Sequence, residues 1–204
     1  MNAANARVVL LAGPSGSGKS YVARRTGLPV LCLDDFYREA GDPLLPRRPD
    51  GAVDWESPAS WDGSGAVAAI ETLCRAGQVH TPIYAIGQDR RVGEHTVDLG
   101  GRPLFVAEGI FAAEIVAECR ARGLLAAAFT LRRARGLTFV RRLARDLTEA
   151  RKPPAVLMRR GVALLRAEPA VLARQVELGA AAASARTVLA KVAGLSPSAS
   201  RTPA

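Results

Sequence analysis

No stretch of the 204 residues holds the eighteen or more uninterrupted apolar side chains that a membrane-spanning helix requires. Met1 to Ala6 contains no basic segment leading into an apolar one, so a secretory leader is not expected, and the reading is cytoplasmic with no membrane partner. Cysteine is scarce. Cys32, Cys74 and Cys119 are odd in number, widely spaced and form no CxxC pair, which argues against a disulfide framework and against a zinc site. Histidine is limited to His80 and His95, both read as surface or structural positions. Only 5% of the residues are aromatic while 49% are apolar, with Ala and Leu abundant, a balance that favours a helix-rich globular chain over a fibrous or disordered one. The length suits one compact α/β domain over residues 1–195, with the low-complexity stretch SPSASRTPA at 196–204 expected to be a disordered tail.

Negative charge is nearly missing from residues 132–166. Eleven Arg or Lys stand there against Asp146 and Glu149, so this segment carries the whole net charge of +9 and the rest sums to zero. Basic charge confined to one stretch grips a polyphosphate as readily as a duplex. The segment also predicts a helix over 137–150 with Phe139, Leu143 and Leu147 on one side and Arg141, Arg142 and Arg145 on the other. An apolar side has to pack, so the expectation is a phosphate-facing element and no nucleic-acid partner.

Apolar β-branched runs alternate with helical patterns. Arg7 to Ala12 reads as a buried strand leading through a Gly-rich turn into a helix, and Leu28 to Leu33 as a second strand ending at Asp34 and Asp35. Residues 38–58 are rich in Pro, Asp and Gly and predict an irregular surface loop. A helix is expected from Pro58 to Arg75, strands over Val79 to Ile86 and Glu94 to Leu99 around a polar turn, and a strand over Leu104 to Ala107. Next come a helix through about Arg122 and a strand over Leu124 to Leu131. A break at Pro153 and Pro154 precedes helices over Ala155 to Arg166 and Ala170 to Ala185. The pattern implies an α/β fold, a parallel sheet with helices on both faces and ligands beyond the carboxyl ends of its strands.

Gly13, Pro14, Ser15, Gly16, Ser17, Gly18, Lys19 and Ser20 fit the phosphate-binding loop G-x-x-x-x-G-K-S, placed between a strand and a helix as its mechanism requires. The glycines let backbone N–H groups converge on an anion, Lys19 is placed to bridge the β- and γ-phosphates of ATP, and Ser20 to ligate Mg²⁺. Glu108 follows an apolar strand, where an acid holds that metal directly or through water. Either Asp34 or Asp35, at the end of the next strand, can accept a proton from an attacking hydroxyl.

These blocks, with Leu33-Asp34-Asp35-Phe36-Tyr37, Thr81-Pro82-Ile83-Tyr84, Glu108-Gly109-Ile110-Phe111 and Arg141 to Asp146, resemble uridine kinase and its relatives in order and spacing over residues 8 to about 152. The resemblance implies a P-loop kinase with a small Arg-rich lid at about 148–160, acting on a small nucleoside-like acceptor. It implies that Asp34 is the catalytic base and Asp35 its less constrained neighbour, that Trp55 lies against the nucleobase, and that Glu56 takes the ribose hydroxyls. By the same similarity Tyr37, Tyr84 and Arg91 line the substrate side. Arg142 reaches the ribose or the transferring phosphate, and Arg145 and Lys152 serve the ATP phosphates. The chain departs from the family at Ala85 and Asp89, where the pattern has an Asp and a base-reading His, and at Ala150, which aligns with a lid arginine. Nicotinamide riboside kinase shares the Asp-Asp-Phe block and the aromatic-acid pair. An NTP-binding switch or a nucleic-acid module is the reading from another class.

Overall fold

The computed structural model describes residues 6–132 and 154–195, with side chains given for all of these except 154–164. Five strands form a wholly parallel sheet in the order β2-β5-β1-β6-β7, with β1 Arg7–Ala12, β2 Val30–Cys32, β5 Leu104–Glu108, β6 Leu125–Leu131 and β7 Ala181–Ala183. The central strands are continuous apolar runs because both of their faces are covered. Side chains alternate along β1. Val8 and Leu10 join Leu31, Phe105, Ile70, Leu73 and Val116 on one face, and Val9 and Leu11 join Val106, Phe129, Leu131, Val22 and Val188 on the other.

The first face is covered by α2 Gly63–Ala76 and α3 Val116–Ala121, and the second by α1 Lys19–Arg25 and α5 Ala185–Leu195. The helix between β6 and β7, α4, spans Pro154–Glu177. A separate antiparallel pair, β3 Gln78–Ala85 and β4 Arg90–Asp98, projects from the end of α2. Its root is buried at Thr81, Val97 and Leu99, while β4 is exposed at every other position. Among the described residues no helix is long and apolar enough to cross a membrane. All three cysteines are free, with Cys74 and Cys119 buried in the core.

Several boundaries differ from the sequence expectation. The strand expected to run to Leu33 stops at Cys32, and Leu33–Phe36 form a 3-10 turn that carries both aspartates. Helical spacing predicts α2 from Pro58. Instead Pro58–Ser60 make a separate 3-10 turn and the chain is extended at Trp61, because Trp61 bridges Tyr37 and the Asp62 N–H donates to the Phe36 carbonyl at 2.9 Å. The Asp62 side chain then caps the helix by accepting from the Gly65 N–H at 2.9 Å. The helix expected after Glu108 is broken into a 3-10 turn, Ala112–Ile115, and α3.

Beyond β6, two expected helices separated before Pro169 are one, with Pro169 inside α4. Pro169 removes one backbone donor, and the helix continues through it, with Glu168 and Gln175 on either side both buried. The second expected helix was to reach Ala185. It ends at Glu177, closed by a turn at Leu178 and Gly179, φ 98°, and the alanines that follow pair with β6 as β7, so tertiary pairing overrides their helix propensity. The expected helix over 137–150 lies outside the described residues.

Trp61 holds the turn that carries the aspartates. It is 5% exposed, packs on Phe111 with ring centroids 5.9 Å apart, and donates its indole N–H to the Leu33 carbonyl at 2.7 Å. Replacing Trp61 by Phe keeps an aromatic ring but strands that carbonyl. Urea unfolding is expected to show a loss of about 1–3 kcal/mol, and an unchanged midpoint would mean that the bond contributes nothing to the turn.

Candidate active site

The register of the sheet brings the functional blocks together. Leu11 on β1 and Cys32 on β2 both stand opposite Glu108 on β5, so the three strands end at one level. The phosphate loop, the aspartate turn and Gly109 therefore leave the sheet side by side, and the Gly109 N–H donates back to the Leu11 carbonyl at 3.2 Å.

In the loop, Gly13, Gly16 and Gly18 have φ of 147°, 82° and 91°, the interspersed handedness that turns amides toward a common centre. Gly13 is also required by space. A Cβ there would stand 3.0 Å from Ser17 Oγ and 3.4 Å from the Leu131 backbone N. Lys19 is 6% exposed and Glu108 5%, both at the foot of the loop. Burial raises the Glu108 pKa above its ordinary value, opposed by the Lys19 charge and a hydrogen bond with Ser20, while Asp34 adds to the rise. An ionised carboxylate so placed is short of positive charge. Ser20 and Glu108 thus fit a divalent cation that takes its remaining oxygens from phosphate and water. Among the described residues no cluster of three or more His, Cys, Asp or Glu side chains forms a metal cage of its own.

The two aspartates are turned in different directions by the 3-10 turn rather than by strand pleating. Asp34 Oδ1 accepts from the Ile110 N–H at 3.0 Å, which ties it to the loop just after Glu108. Gly109 permits that approach, since a Cβ there would stand 2.9 Å from Asp34 Oδ1 and 2.8 Å from Leu33 Cβ. Asp35 Oδ1 accepts from the Tyr84 N–H at 3.0 Å and so fastens the hairpin. The Cys32 thiol lies beneath this pair. Burial, then the charges of Asp35, Asp34 and Glu108, push its pKa far above the usual thiol value and keep it protonated.

Three further bonds fasten the hairpin tip to the chain after the aspartates. The Tyr84 hydroxyl donates to the Arg38 carbonyl at 3.0 Å, the Arg91 N–H to Glu39 Oε1 at 2.9 Å, and the Ala40 N–H to the Asp89 carbonyl at 2.7 Å. Tyr37 is the centre of an aromatic cluster, with Trp55, Tyr84 and Phe111 at centroid distances of 6.0, 5.7 and 5.8 Å. Trp55 is half-buried, Glu56 and Arg91 are exposed, and Tyr84 is buried with its hydroxyl already engaged. Arg38, Glu39, Ala40, Asp42, Asp62 and Arg91 line a cavity of about 360 Å³ beside the hairpin.

Lys19, Ser20, Glu108 and Asp34 therefore meet at one site, with Tyr37, Trp55 and Tyr84 grouped beside it. Arg142, Arg145 and Lys152 lie outside the described residues. Sequence reasoning missed the Ile110 amide and the buried Gln175, which donates to the Ile110 carbonyl at 3.0 Å. A backbone donor leaves no mark in a sequence. Gln175 did leave one, as a polar residue seven positions after Glu168 on a helix stripe shared with Val171 and Leu172.

No protein-family model matches the chain. Over 148 residues, 69% of its length, the chain is 32% identical to the uridine kinase of Schizosaccharomyces pombe, and the match covers 32% of that protein. It is 24% identical over 160 residues to the uridine kinase of Shewanella piezotolerans, 73% of each chain. The chain is uridine kinase-like in sequence over about two thirds of its length. It spans about a third of the S. pombe relative and 56% of the Ureaplasma parvum one, to which it is 25% identical over 120 residues. The fold is that of a candidate fructose transport system kinase from Silicibacter sp. TM1040, solved by crystallography, with a TM-score of 0.60, 19% identity and 88% of each chain covered.

The elevated Glu108 pKa has a measurable cost in a uridine kinase-like chain without nucleotide. A native pKa above the unfolded value of 4.5 means that the contribution to stability is complete below 4.5 and is lost as pH rises through the native value. Glu108→Gln is therefore expected to melt above the parent at pH 7, with the gap narrowing as pH falls through the native value and closed below 4.5. Equal melting temperatures at pH 7 would show that Lys19 and Ser20 already compensate the carboxylate.

A Cβ at position 109 meets the Leu33 side chain as well as Asp34, so neither can move aside alone. Gly109→Ala is expected to lower turnover at least about tenfold by displacing the carboxylate, while ATP binding changes little. Weakened ATP binding with unchanged turnover would place the disturbance in the phosphate loop instead.

Proposed function

We propose that the chain transfers the γ-phosphate of ATP to the 5′-hydroxyl of a ribonucleoside of the uridine or cytidine type. The observation that carries this is the Ile110 N–H bond to Asp34. It holds a carboxylate beside the acid that serves the metal, with its second oxygen left for a substrate hydroxyl. A hydrolytic switch needs a group that positions water and has no use for an aromatic cluster next to that carboxylate.

In this reading the loop amides and Lys19 hold the phosphates, and Ser20 and Glu108 would hold Mg²⁺, which would supply neutralisation of phosphate charge. Asp34 orients the hydroxyl and takes its proton as the bond to phosphorus forms, with ADP leaving in line. Arg142, Arg145 and Lys152 carry positive charge to the transferring group. Tyr37 and Trp55 offer ring faces to the base, and Glu56 accepts from the ribose hydroxyls.

One observation favours a second acceptor, nicotinamide riboside. Burial, then the charges of Asp89 and Glu39, push the Tyr84 pKa up to about 12, opposed by Arg91. Asp89 occupies the place of the family's base-reading His. A carboxylate there favours a cationic pyridinium over a neutral pyrimidine.

A panel of uridine, cytidine, adenosine and nicotinamide riboside with ATP·Mg²⁺, scored by ADP release, separates these acceptors. Release no faster than without acceptor across the panel would defeat the proposal. Asp34→Asn is expected to reduce kcat by about 10²- to 10⁴-fold with ATP binding near that of the parent. Asp35→Asn, which keeps an oxygen for the Tyr84 N–H, should cost far less. The opposite order would move the base by one residue.

A further inference from the structure

Gln175 is 4% exposed on α4, in a stripe where an apolar side chain of the same volume would satisfy packing. Burying an amide is costly unless its groups are bonded, and both ends of this one are. Its Nε2 donates to the Ile110 carbonyl at 3.0 Å, and its Oε1 accepts from Thr130 Oγ1 on β6 at 2.5 Å. Thr130 has no exposed surface. Only one orientation of the amide serves the Ile110 carbonyl, which requires a donor, and the rotatable threonine hydroxyl then suits the other end.

Ile110 is thereby held from two sides. Its carbonyl is fixed by Gln175 and its N–H is spent on Asp34 Oδ1 at 3.0 Å. Gly109, just before it, brings no side chain to brace the turn and is held by its N–H on the Leu11 carbonyl, so at Ile110 itself both backbone polar groups are fixed by these two bonds. We propose that Gln175 is a positioning residue for Asp34, fixing through the Ile110 backbone the angle at which the carboxylate meets the acceptor hydroxyl. Gln175 touches neither substrate nor phosphate in this role. The inference rests on Asp34 being the base, and the same Gln175 bond joins α4 to the catalytic turn across the end of β6.

A merely structural glutamine and a positioning one differ in a double-mutant cycle. Gln175→Met keeps the volume and removes both hydrogen bonds. With the panel nucleoside that the parent turns over, it is expected to lower kcat about tenfold while KM for ATP and for the nucleoside stays within about twofold. In an Asp34→Asn background the same change is expected to cost less than about twofold, because the group it positions is gone. Thr130→Val, which frees the amide without emptying the space, should produce a smaller fall in kcat that also vanishes with Asp34→Asn. Thr130→Val decides the matter if Gln175→Met fails to fold.

An equal factor in both backgrounds, or a fall matched by a rise in KM for ATP, would overturn the inference and leave the base assignment standing. Full activity of Asp34→Asn would overturn the base assignment, and this inference with it. A parent inactive on the whole panel defeats the proposed function first.

Discussion

The level at which β1, β2 and β5 end is the constraint on which the site depends. Parallel pairing places Leu11 and Cys32 opposite Glu108, and each strand then hands its chain to a different functional element. The phosphate loop follows β1, the aspartate turn follows β2, and the Gly109–Ile110 hinge follows β5. A one-residue slip of β5 would turn Glu108 to the other face of the sheet and carry the Ile110 amide away from Asp34. Both faces of β1 and β5 are packed with apolar side chains of fixed size and place, and the core that stabilises the sheet therefore also holds the register that aligns the site.

Charge is arranged against stability at the foot of the loop. Lys19 and Glu108 are both nearly inaccessible, and Glu108 bears a raised pKa despite that neighbour. A sequence selected for folding alone would have put apolar residues there. The Cys32 thiol, held protonated under three carboxylates, belongs to the same crowded patch of negative charge. Such a patch attracts cations, and the basic segment at 132–166 supplies opposite charge within the same chain.

Much of this was legible in the sequence where local chemistry decides structure. The run RVVLLA predicts a buried strand and G-x-x-x-x-G-K-S after it a phosphate loop opening a helix, and β1 and the helix that starts at Lys19 and Ser20 lie where expected. Glu108 was legible for the same reason, as an acid closing an apolar run. Failures came where distant partners decide. Ala181 to Ala183 have the composition of a helix but find an open strand edge on β6. Pro169 has the look of a helix end but lies inside α4, whose Gln175 is tied to Thr130 and Ile110. Trp61 fits a helical spacing and is instead extended, because it bridges Tyr37 and its neighbours Ser60 and Asp62 are claimed by Arg38 and Phe36. Asp34 and Asp35 could be picked out as a pair, whereas their separate ties to Ile110 and Tyr84 belong to contacts 76 and 49 residues away.

Most of the described hydrogen bonds that join the hairpin to the aspartate turn and the chain after it use backbone groups of the hairpin. Of its four fastenings, two use main-chain atoms of Tyr84 and Arg91, one the Asp89 carbonyl, and only one a hairpin side chain, the Tyr84 hydroxyl. Main-chain bonds survive a change of residue. Most exposed positions of β4 can therefore vary in evolution or by design while the hairpin keeps its seat, so the face it presents can drift without disturbing the phosphate loop.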